Sequence, residues 1–129
     1  MNKIIVEVSI GELLDKISIL EIKKEKIKNT EKLKFINNEH SILKDQLENN
    51  IKYDDKLKKL YQSLKEINSK LWLIEDEKRL CEKNADFGDE FIKLSRDVHF
   101  LNDERAKIKL EINIHTGSKI KEIKEYTKY

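Results

Sequence analysis

From Leu57 to Cys81 the chain places Leu57, Leu60, Leu64, Ile67, Leu71, Ile74 and Cys81 at steps of three, four or seven residues. That rhythm gathers one apolar stripe along an α-helix close to four heptads long; a strand, whose side chains alternate every two residues, cannot collect it. A helix of this length needs partners to cover the stripe. The rest of the chain supplies them, because proline is absent and glycine occurs only three times in 129 residues, so little interrupts helical pattern anywhere. One domain with a single core is the expected organisation for this length.

Three further segments carry the same period. Ser9 followed by Glu12 reads as a capping box, and Ile10, Leu13, Leu14, Ile17, Leu20 and Ile27 keep helical spacing to about Lys28, with Ile19 and Ile22 widening the face. Asn29 and Thr30 mark a break, with Thr30 the expected cap of the next helix, which runs on Leu33, Ile36, His40, Leu43 and Leu47 into the turn-forming "NNIKYDD". The long helix spans about Asp55 to Lys83. After the loop "NADFG" a fourth begins near Asp89 and carries Phe91, Leu94, Val98, Leu101, Arg105, Ile108 and Ile112, with Gly117 placed to end it. Short breaks between long helices imply antiparallel neighbours, so the fold class is all-α: an elongated antiparallel bundle of about four helices. Two segments lie outside it. Residues 3–8, "KIIVEV", are β-branched and read as a short strand, and residues 118–129 read as a packed or frayed C-terminal arm.

Charged residues make up 40% of the chain, yet the net charge is only +2 and acids alternate with bases, which argues against a nucleic-acid partner. No apolar run approaches the ~20 residues of a membrane span, and the apolar part of the opening, with an acid at Glu7, is too short for a secretory leader, so a cytoplasmic location is expected. The lone Cys81 belongs to an apolar stripe and is read as a core residue. His40, His99 and His115 show no paired ligand spacing, so neither a metal nor another cofactor is expected. The first helix offers Lys16, Lys23 and Lys24 but no arginine, unlike the basic cage of small helical chorismate mutases. Carboxylates in "EIKKE" and "IEDEK" have the spacing of magnesium-binding helices, a spacing that charged helices also produce by chance.

At "VEVSIGELLDKISILEIK", "KLWLIEDEKR", "DFGDEFIKLSRDVHFLNDERAKIKLEIN" and the closing "EYTKY", the chain resembles a family of small bacterial helical proteins classed as a domain of unknown function. The resemblance places the family's recurring polar residues at Glu12, Asp15, Lys16, Glu21, Glu75, Asp76, Asn102, Asp103, Glu104 and Arg105. It also implies an association with surface-polysaccharide assembly and glycosyl transfer.

Arginine is rare: of the 27 cationic Lys and Arg residues only Arg79, Arg96 and Arg105 are arginine, and Arg105 falls on the apolar line of Val98, Leu101, Ile108 and Ile112. A guanidinium there demands a carboxylate partner. Levelling antiparallel hairpins against one another sets Arg105 beside about Ile67 and gathers Glu21 and His40 in the same layer. Glu21 is the expected partner and Asp76 the second choice. The layer of Glu21, His40, Asp76 and Arg105 is expected to fix helix register or, less simply, to hold a ligand; the third reading has Arg105 snorkelling out to solvent. The function expected is a non-catalytic interaction or assembly module with a protein partner. A homodimer is suggested by the lone strand and by apolar faces including Ile19, Ile22, Trp72 and Leu73. The rival expectation is a small enzyme or binder of a phosphorylated metabolite or nucleotide-sugar.

Overall fold

The computed structural model describes residues 2–129. Four helices follow in order: α1 (Ile10–Lys26), α2 (Thr30–Asn50), α3 (Asp55–Lys83) and α4 (Asp89–Thr116). No strand is present among the described residues, and the fold is an all-α bundle.

Three of the helices start where a side chain can satisfy an orphan amide. Ser9 Oγ accepts from Glu12 N–H at 3.1 Å, Asn29 Oδ1 from Lys32 N–H at 2.9 Å, and Asp54 Oδ1 from Leu57 N–H at 2.8 Å. The cap of α2 is thus Asn29, one residue before the expected Thr30. Only half of the expected capping box forms at Ser9, because the Glu12 carboxylate turns away to a lysine of α4. At the far end of α4, Gly117 adopts φ 67°, a left-handed conformation that costs a residue without Cβ little, and Ser118 N–H reaches back to Asn113 O at 2.9 Å.

The shortest helix is the hub: α1 packs against each of the other three, whereas α2 touches α1 alone among the helices. This explains why α1 buries Gly11, Leu14, Asp15, Ile17, Ser18, Leu20 and Ile22, far more than one stripe. The core centres on Leu14, Ile17, Leu47, Leu57, Leu64 and Ile112. Every hydrogen bond and ion pair from α1 to the α3–α4 hairpin falls on residues 61–68 or 105–113. Since 29 residues of α3 span about 43 Å at ~1.5 Å per residue, the hairpin extends well past its hub. In that distal half Leu73, Leu80, Phe87 and Ile92 are each more than half exposed.

The strand expected over residues 3–8 does not form, since no neighbouring backbone edge meets the segment and a lone strand has no hydrogen-bond partner. The arm at 118–129 has no regular structure, and all of its residues beyond Ser118 are exposed, but a few side chains tie it to α4. Glu122 bonds Lys109, the Tyr129 hydroxyl donates to Asp103, and the Tyr129 ring meets His99 and Phe100 edge-on, so the arm runs back along α4.

Candidate functional site

The sequence places a second stripe on α1 beside the apolar one: Gly11, Asp15, Ser18 and Ile22, at steps of four, three and four. All four are buried. On α4 the residues Arg105, Lys109 and Asn113 repeat every four, and the two stripes face each other in opposite directions to form a polar seam.

At one end of the seam Asn113 Oδ1 accepts from Gly11 N–H at 2.7 Å and Ser118 Oγ from Ile10 N–H at 3.2 Å, completing the first turn of α1. The approach is close enough to require glycine, because a Cβ at Gly11 would stand 2.6 Å from the carbonyl oxygen of Lys109. One turn further, Lys109 Nζ lies 2.7 Å from Glu12 and 3.1 Å from Glu122. At the other end Arg105 grips the Asp15 carboxylate with two donors, Nε at 3.0 Å and Nη2. Asn68 Nδ2 on α3 donates to Asp15 Oδ1 and to Ser18 Oγ, both at 2.8 Å, and Lys109 approaches Asp15 to 3.9 Å.

The Asp15 side chain is 2% exposed and that of Arg105 28%. Burial would raise the Asp15 carboxyl, but the hydrogen bonds from Arg105 and Asn68, with the charges of Arg105 and Lys109, outweigh it and hold the group below its ordinary value. For Arg105 the bond to Asp15 outweighs burial and pushes the guanidinium further up. Burial opposes the Lys109 ammonium, yet its bonds to Glu12 and Glu122 still raise it. Each buried charge of the seam therefore has a partner of opposite sign within it.

Asp15, not Glu21, is the partner of Arg105. Glu21 accepts instead from the Tyr61 hydroxyl and lies 3.7 Å from Lys65. The expected layer fails because the levelling passes from α3 to α1 by way of α2, whereas α2 packs on α1 and not on α3, and α1 meets the hairpin directly with Asp15 rather than Glu21 at Arg105. His40 is also outside it: α2 lies on another side of α1, and His40 Nδ1 accepts from Lys24 at 3.1 Å while its Nε2 has no partner. Burial and the Lys24 charge lower the imidazole. Asp76 is exposed and makes no ion pair among the described residues.

The other expected positions are scattered. Glu12 and Asp15 belong to the seam, Lys16 touches Glu12 only at 3.9 Å on the surface, and Asp103 holds the arm through Tyr129. Glu75 pairs with Arg79 at 3.0 Å. Glu75 and Asn102 also line an open groove of about 270 Å³ with Trp72, Asn68 and the exposed edge of Arg105. Sequence reasoning misses Gly11, Ser18, Asn68, Lys109 and Asn113. The four-residue repeats of small and polar groups on the first and last helices are the signal that points to most of them.

These contacts define an all-α bundle whose central helix is pinned by a buried ionic seam. Residues 4–129 match a family of unknown function, DUF6165, and the chain belongs to that family. Comparison with curated proteins and with solved structures returns no match.

Proposed function

We propose that this protein is a non-catalytic interaction and assembly module, working in the bacterial cytoplasm as an accessory to surface-polysaccharide or glycosyl-transfer machinery. The observation that carries the reading is the distal α3–α4 hairpin, which projects beyond α1 with Leu73, Leu80, Phe87 and Ile92 more than half exposed. Exposed apolar side chains along a projecting hairpin suit a helical partner that covers them. The buried charges of the seam fit a structural role, since each already has a partner. Self-association belongs to the same reading, although Ile22, expected on a dimer face, is buried within the fold.

The groove beside Trp72 and Arg105 supports the rival reading, a binder of a phosphorylated metabolite or nucleotide-sugar, because it joins an aromatic surface to hydrogen-bonding side chains. Affinity capture with the full chain, followed by reconstitution from purified components, separates the two. The module reading expects a stoichiometric protein partner lost on Leu80→Glu. Thermal stabilisation by a nucleotide-sugar or phosphorylated metabolite, abolished by Trp72→Ala, with Leu80→Glu leaving every association intact, overturns it.

A further inference from the structure

The segment ahead of α1 has an unusual combination of properties. Ile4, Ile5 and Val6 are 89%, 81% and 70% exposed, and no backbone hydrogen bond involves residues 2–8 among the described residues. Yet it leads directly into an anchored turn: Ser9 is buried, and the next amides are held by Ser118 and Asn113. A β-branched run with free backbone groups, tethered to a rigid base, is ready to pair as a strand. Its own C-terminal arm is already engaged on α4 through Glu122 and Tyr129.

We propose that residues 3–7 of two copies of this chain pair as antiparallel strands about a two-fold axis at Ile5; this deepens the assembly reading by naming a partner. The register follows from the charges. With Ile5 opposite itself, Lys3 of each copy faces the partner's Glu7, and Ile4 faces the partner's Val6. A slip by one residue either way sets Lys3 against Val6 or Val8. A slip by two sets Ile5 against Glu7 or Lys3. Only the Ile5-centred register joins both charges with opposites while pairing apolar residues with apolar ones. Alternation then puts Ile4, Val6 and Val8 of both strands on one face, and closed two-fold pairing uses each strand once. A two-stranded ribbon is marginal alone, so the dimer depends on concentration.

Sedimentation equilibrium of the full chain at low salt tests this. The parent approaches twice the monomer mass with rising concentration. Lys3→Glu and Glu7→Lys each set two like-charge pairs across the axis and weaken self-association about ten-fold or more, with unchanged circular dichroism because both side chains are exposed. In a mixture of the two variants, the all-acidic strand of one faces the all-basic strand of the other at both charged positions, so the mixture dimerises at concentrations where each variant alone stays largely monomeric. A monomeric parent, single variants that dimerise like the parent, or a mixture that stays monomeric overturns the proposal. A monomeric parent that still holds a stoichiometric partner through the distal hairpin sinks the strand pairing alone, whereas a charge-swappable dimer with no other protein partner upholds the pairing and sinks the reading of an accessory to larger machinery.

Discussion

Replacing Arg105 by leucine removes both guanidinium donors from a carboxylate that is 2% exposed. Asp15 keeps one bond from Asn68 and the ammonium of Lys109 at 3.9 Å. Stranding a buried partner of an ion pair costs about 3–5 kcal/mol. Lys109 offsets part of that, and Arg105 itself, 28% exposed, is screened by solvent in the folded chain, so about 2–4 kcal/mol is expected. At roughly 3–5 °C per kcal/mol for a chain of this size, the melting temperature falls by about 6–20 °C. Arg105→Lys keeps the charge but loses the fork, costing about 1–3 kcal/mol. The assay is urea unfolding of the parent, Arg105→Leu, Asp15→Leu and the double variant. Because the double variant leaves neither charge stranded, its loss should fall short of the summed single losses by about 2 kcal/mol. The parallel cycle with Glu21→Gln should be additive within about 0.5 kcal/mol. Additivity in the Asp15 cycle, or an Arg105→Lys variant that unfolds like the parent, refutes the assignment of the seam.

Gly11→Ala should destabilise by about 1–3 kcal/mol, despite the better helix propensity of alanine, since the new Cβ meets backbone of α4 at 2.6 Å; the urea midpoint checks it. Asn113→Ala removes the acceptor of Gly11 N–H, and a loss of about 1–3 kcal/mol is expected together with faster hydrogen exchange at that amide. The Asp15 carboxyl is depressed in the folded protein, so the unfolded chain binds more protons as the ordinary carboxylate value is passed. The seam's contribution is therefore complete above about pH 4 and lost as acid titrates the group below it. Urea midpoints measured from pH 7 downward should fall less steeply in Asp15→Asn than in the parent.

Helix number, approximate ends and the all-α class were legible because apolar spacing and capping residues act locally: Ser9, Asp54 and Gly117 mark boundaries through bonds to amides or carbonyls a few residues away. The need of Arg105 for a buried carboxylate was legible for a similar reason, since a charge on an apolar stripe has to be neutralised whatever surrounds it. Which carboxylate answers was not. Asp15 and Glu21 both lie on α1, and only the seating of that helix against the α3–α4 hairpin, with a close approach to α4 allowed by the missing side chain of Gly11, brings Asp15 to Arg105 and leaves Glu21 to Tyr61. The "KIIVEV" segment shows the converse limit. Its β-branched residues state a local preference for extended backbone, but a strand exists only through hydrogen bonds to another strand, and tertiary packing within one chain places none beside it.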